Sequence, residues 1–126
     1  MDDIPTILII EDSETQAQQV AAHLSGYDVN VVIASDGPQG LRLIQVHHPA
    51  LIVLDINLPT MDGFQVCRRI KRDPDTAEIP IIMLTSASAS KDMLKGIDAG
   101  AIDYIPKDEF AIEHLLTTLQ NMALIP

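Results

Sequence analysis

The chain has 126 residues with a formal net charge of −10, 47% hydrophobic residues and only 3% aromatics. That length fits one domain, read here as residues 1–126 with a core over about 6–122, and the hydrophobic content excludes disorder. The acidic balance argues against direct contact with nucleic acid or an anionic membrane surface, both of which recruit Lys and Arg. The lone cysteine, Cys67, forms no internal disulfide and suits a reducing compartment. The acidic start Met1-Asp2-Asp3 lacks a signal peptide's basic region, and the aliphatic runs are too short to cross a bilayer. A cytoplasmic protein is the expectation.

In chain order, Ile7–Ile10 reads as a short strand closed by Glu11-Asp12. Ser13 and Gln16 form an S-x-x-Q capping-box signature for a helix with Ala17, Val20, Ala21 and Leu24 on one face. Val29–Ala34 is β-branched and strand-like, and Asp36-Gly37-Pro38 opens a second helix that ends at His47-His48-Pro49. Leu51-Ile52-Val53-Leu54 is a strand buried on both faces, ended by Asp55 and the turn residues Asn57, Pro59, Asp62 and Gly63. Phe64, Cys67 and Ile70 mark the inner face of a third helix, with Arg68, Arg69, Lys71 and Arg72 crowding the other. Pro80–Thr85 is the fourth strand, Ser86–Ser90 a small-residue loop, and 92–99 a helix closed by Gly100. Ala101–Ile105 is a fifth strand, followed by Pro106-Lys107-Asp108 and a last helix with Asp108 as its N-cap. Five strand–helix units with short connections predict an α/β three-layer sandwich with right-handed crossovers and a parallel sheet.

The polar residues at the carboxyl ends of those strands are Glu11, Asp12, Asp55, Thr85, Ser86 and Lys107. With flavodoxin-like strand order 2-1-3-4-5, Glu11, Asp12 and Asp55 converge at the switch point between strands one and three. Three crowded carboxylates repel unless a cation sits among them, and oxygen ligands of this kind suit Mg2+. The hydroxyl of Thr85 and the ammonium of Lys107 are donors suited to phosphoryl oxygens. Such a site supports phosphoryl transfer to a carboxylate.

In these features the chain resembles the response-regulator receiver domains of two-component signalling. The resemblance is carried by Glu11-Asp12, by Asp55 within LIVLD-x-N-L-P-x-M-D-G, by Thr85 ending strand four, and by Tyr104 three residues before Lys107. It implies that Asp55 accepts phosphate from a histidine kinase or histidine phosphotransfer protein. It implies that Glu11, Asp12, Asp55 and the backbone carbonyl of Asn57 hold Mg2+. Lys107 and Thr85 would bind the phosphoryl group, and Thr85 and Tyr104 would move inward together. That movement would alter the face of the fourth helix, fifth strand and fifth helix, where a protein target or a second copy of the chain would dock. The chain departs from the family in one place. Receivers usually carry proline directly after this lysine, often behind a cis bond, whereas here Pro106 precedes Lys107 and Asp108 follows.

Each residue also has a plainer reading. Glu11-Asp12 would stabilise the first helix's positive end, Lys107 would be a solvated lysine, Thr85 ordinary strand chemistry and Tyr104 a half-buried aromatic. The basic run Arg68–Arg72 reads as a solvated helix face, Cys67 as core, and His23, His47, His48 and His114 carry no catalytic role. Three rival functions stand beside the receiver. A haloacid-dehalogenase-type phosphohydrolase wants D-x-D where this chain has Asp55-Ile56-Asn57. A flavin carrier would place its phosphate against Glu11-Asp12. A receiver-shaped module acting without phosphorylation would keep the fold alone.

Overall fold

The computed structural model describes residues 4–86 and 90–126. Five parallel strands, β1 (Thr6–Ile10), β2 (Asn30–Ala34), β3 (Leu51–Leu54), β4 (Ile81–Thr85) and β5 (Asp103–Pro106), form one sheet in the order β2-β1-β3-β4-β5. They alternate with α1 (Glu14–Leu24), α2 (Gly37–His47), α3 (Gly63–Arg72), α4 (Ser90–Ala99) and α5 (Ala111–Asn121). This is the expected flavodoxin-like arrangement.

The continuous aliphatic runs form strands because both faces of the sheet are covered. Leu8, Ile10, Ile52, Leu54, Ile81 and Met83 point to the side of α2, α3 and α4, where Ile44, Phe64, Cys67 and Ile70 meet them. Ile7, Ile9, Leu51, Val53, Ile82 and Leu84 point the other way and pack on Ala17, Val20 and Leu24 of α1 and Leu115 and Leu119 of α5. Burying each large side chain contributes about 1.5–3 kcal/mol before entropy is subtracted. Cys67 is fully buried, its thiol 3.4 Å from the Ala99 carbonyl oxygen, and burial pushes its pKa up to about 11.

Helix boundaries follow local chemistry. The side chains of Ser13, Asp36 and Asp62 cap the first three helices by accepting from the backbone N–H three residues on. His48, left-handed at φ 47°, ends α2 ahead of Pro49, and Gly100, at φ 111°, ends α4. Two expectations need correction. Strand five starts at Asp103, not Ala101, and α5 starts at Ala111, so Asp108 is not its N-cap. Asp108 Oδ1 instead accepts from the Phe110 N–H at 2.8 Å, an Asx turn that satisfies the carboxylate before the helix begins. Of the expected loop Ser86–Ser90, residues 87–89 lie outside the described residues, and Ser90 already belongs to α4.

Candidate phosphoacceptor site

Strand register builds the site. Ile10 pairs with Leu54, and the Asp55 N–H donates to the Ile10 carbonyl at 3.0 Å, so the next residue of each strand, Glu11 and Asp55, emerge side by side. Thr85 pairs with Pro106 at the end of β4, and the Lys107 N–H donates to the Thr85 carbonyl at 2.8 Å. The ladder therefore delivers Lys107 to the edge where Asp55 stands. Every peptide bond among the described residues is trans, and Pro106 sits within β5. The departure from the family's usual proline leaves the lysine in place.

Lys107 Nζ donates to Asp55 Oδ2 at 3.2 Å, to Glu11 Oε1 and to Gln16 Oε1. Asp55 and Glu11 are each 6% exposed, whereas Asp12 faces solvent. One carboxylate oxygen from each of the three lies within 4.8 Å of the others. Burial holds the Glu11 carboxyl above its usual range, and the Asp55 charge adds to that; hydrogen bonds from Lys107 and from the Ser13 N–H pull the other way. The Asn57 N–H donates to Asp55 Oδ1 at 3.3 Å, and its side-chain amide to Ser86 Oγ at 3.4 Å. Thr85 is fully buried and Tyr104 is 5% exposed, so the aromatic is more deeply placed than the plainer reading had it. Burial first, then the charges of Asp92 and Asp55, raise the Tyr104 pKa.

Glu11, Asp12, Asp55, Asn57, Thr85, Ser86 and Lys107 thus lie at one end of the sheet, while Tyr104 pairs with Met83 within β5. Three carboxylates, hard oxygen donors around a single point, suit a small divalent cation such as Mg2+. A cleft of about 580 Å³ opens beside them between α1 and α5, walled by Gln16, Gln19, His23, Asp108 and Ile112. Two participants were not evident beforehand. In the sequence Gln16 has only the signature of a capping residue. Gly63 has the sequence signature of a turn residue, yet a Cβ there would meet the carbonyl oxygen of Asp55 and lie 2.7 Å from Ile56 Cα. Its bareness lets α3 pack against the backbone that carries Asp55.

Residues 7–120 match the family profile described as the response regulator receiver domain. The chain belongs to that family. RpaA of Synechocystis, described as a DNA-binding dual master transcriptional regulator, is 41% identical over 121 residues, which are 94% of this chain and 49% of RpaA. AfsQ1 of Streptomyces coelicolor, a transcriptional regulatory protein, is 40% identical over 82% of this chain and 45% of its own. The receiver thus spans about half the length of these curated relatives. Among solved structures, a response regulator from Chloroflexus aurantiacus aligns with a TM-score of 0.88 at 32% identity, covering 95% of this chain and 98% of that one. The Mn2+-bound form of the response regulator Rcp1 aligns at 0.80 and 26% identity, covering 97% and 99%.

Proposed function

We propose that this receiver accepts a phosphoryl group on Asp55 from a histidine kinase or histidine phosphotransfer protein, in the presence of Mg2+. The observation that carries the reading is the convergence of Asp55, Lys107, Glu11 and Asp12 at one strand edge. A carboxylate oxygen of Asp55 forms the new P–O bond while the donor's P–N bond breaks and its electron pair stays with the imidazole nitrogen. Lys107 and the Thr85 hydroxyl receive the phosphoryl oxygens, and the Asn57 N–H holds Asp55 Oδ1 in its orientation. Glu11, Asp12, Asp55 and the Asn57 carbonyl are the residues to hold the cation, which supplies neutralisation of charge on the transferring group. That Rcp1 has been crystallised with Mn2+ supports a divalent site in this fold.

The domain's own residues catalyse acceptance and slow hydrolysis, and no external substrate is turned over as in a conventional enzyme. Because Tyr104 is already buried, phosphorylation acts by fixing that arrangement with Thr85, a population shift in a two-state surface. The surface is the α4–β5–α5 face, where Leu94, Ile97, Ile102 and Phe110 are exposed and available to a protein target. The site is read as cytoplasmic, where kinase and donor are found.

The test is intact-mass spectrometry after incubation with acetyl phosphate, with and without Mg2+. A gain of one phosphoryl group is expected only with Mg2+, and not in Asp55→Asn. No gain in folded wild-type protein would favour the phosphorylation-independent module. Mg2+ alone is also expected to stabilise the fold. Binding at a hundred times Kd contributes about 2.7 kcal/mol. Glu11 titrates above its ordinary 4.5, so protons compete for a ligand oxygen and the Mg2+-induced rise in Tm shrinks as pH falls toward that value. Melting curves at pH 5 and pH 7.5 check this.

A further inference from the structure

We infer that Gln16 is a positioning residue for Lys107, a neutral anchor that keeps the ammonium directed at Asp55. This rests on the reading of Asp55 as phosphoacceptor.

Three helices carry glutamine three residues after their N-cap, and they use it differently. In α2, Gln39 turns back, its Oε1 accepting from the Ser35 N–H at 2.7 Å and the Ser35 hydroxyl at 3.0 Å. In α3, Gln65 completes a reciprocal capping box: Oε1 accepts from the Asp62 N–H at 3.0 Å while Asp62 Oδ1 accepts from the Gln65 N–H at 2.9 Å. In α1 only half the box forms, the Gln16 N–H donating to Ser13 Oγ at 3.3 Å. The other half is taken, because the Ser13 N–H donates to Glu11 Oε2 at 3.1 Å. With its capping partner occupied, the Gln16 amide reaches across to Lys107 Nζ instead.

A lysine ammonium has three N–H donors and accepts nothing. Lys107 directs them to Glu11, Gln16 and Asp55, so its capacity is filled. The proposed chemistry draws on two of those acceptors. Asp55 exchanges its carboxylate for an acyl phosphate, and Glu11 belongs to the carboxylate cluster that would hold a cation, whose charge repels the ammonium. Gln16 is uncharged and outside that cluster, so it is the contact that persists through both events. Lysine is a point charge on a long flexible stem, and aiming it costs rotamer freedom that a fixed acceptor offsets in advance.

Gln16→Met tests this, since methionine keeps length and helix propensity but lacks the amide acceptor. The maximal rate of Asp55 phosphorylation by acetyl phosphate is expected to fall roughly tenfold, the scale of a hydrogen bond to a charged group. In a Lys107→Met background the same change is expected to alter the rate less than about twofold, because the double-mutant cycle removes the partner. Nitrogen-15 NMR of the Lys107 ammonium gives a readout apart from activity: its signal should broaden through faster proton exchange in Gln16→Met. Equal rate losses in both backgrounds would assign Gln16 a role in α1 alone and overturn the inference. So would an unchanged rate with an unchanged ammonium signal. If wild-type protein gains no phosphate, the phosphoacceptor reading fails instead, and the NMR comparison still decides whether Gln16 anchors Lys107.

Discussion

Lys107→Met is expected to slow phosphoryl transfer to Asp55 roughly a hundredfold, the usual consequence of losing a preorganised donor to the transferring group. Without Mg2+ it should also cost about 2–4 kcal/mol of stability at neutral pH, because it strands two carboxylates that share one cation. The side chains of Glu11 and Asp55 are only 7% and 6% exposed, so water offers little replacement. The pH dependence has a definite sign. Burial already raises Glu11, and Lys107 is among the groups holding it down, so its removal sends that carboxyl higher. Between the ordinary 4.5 and the raised value the native state then holds a proton that the unfolded chain has released, and stability falls as pH rises. The deficit relative to wild type should be smallest below pH 4.5 and full above the raised value. Urea unfolding at pH 4 and pH 7.5 measures it. Mg2+ should restore stability but not the rate. A deficit largest in acid would mean that Lys107 does not serve to offset these carboxylates.

The division of labour at this site explains which parts were legible in the sequence. Strands buried on both faces have to be aliphatic throughout, so Ile7–Ile10, Leu51–Leu54 and Ile81–Leu84 identify themselves. Their carboxyl ends are where a parallel sheet exposes polar side chains, so Glu11, Asp55, Thr85 and Lys107 could be collected by position alone. What stayed hidden depends on competition between groups distant in sequence or on space. Ser13-x-x-Gln16 reads as a capping box, and only the presence of Glu11 Oε2 at the Ser13 N–H redirects the glutamine. Asp108 reads as an N-cap because an Asx turn and a cap use the same carboxylate-to-N–H bond, and the choice falls to where α5 can pack Ala111 inward. Gly63 follows Asp62 in a typical turn pair, and a turn is explanation enough until the neighbouring backbone is seen.

That neighbouring backbone makes Gly63→Ala the second substitution of large expected effect. Gly63 has no unusual φ that would require glycine, so the constraint is one of room. An added methyl would press on the Asp55 carbonyl oxygen and stand 2.7 Å from Ile56 Cα and 3.0 Å from the Asp55 carbonyl carbon. All three are backbone atoms and cannot rotate aside as a side chain would. Either α3 moves outward or the loop after β3 shifts. The Gly63 N–H donates to the Ile56 carbonyl at 2.9 Å, so outward movement stretches a bond that fastens the helix to the strand. A loop shift turns the Asp55 carboxylate away from Lys107, now 3.2 Å distant. Overpacking of this kind costs about 1–3 kcal/mol, and the rigid backbone places Gly63→Ala at the upper end. At about 3 kcal/mol the Tm should fall by roughly 10 °C. Misplacing the nucleophile by an ångström is enough to slow phosphorylation about a hundredfold. Gly26→Ala, where an added Cβ meets nothing within 4 Å, is the control and should leave both Tm and rate near wild type. If Gly63→Ala melts and reacts like that control, the close approach of α3 does not position Asp55. If it melts lower yet reacts at the wild-type rate, the helix has given way and the carboxylate is held from the Lys107 side.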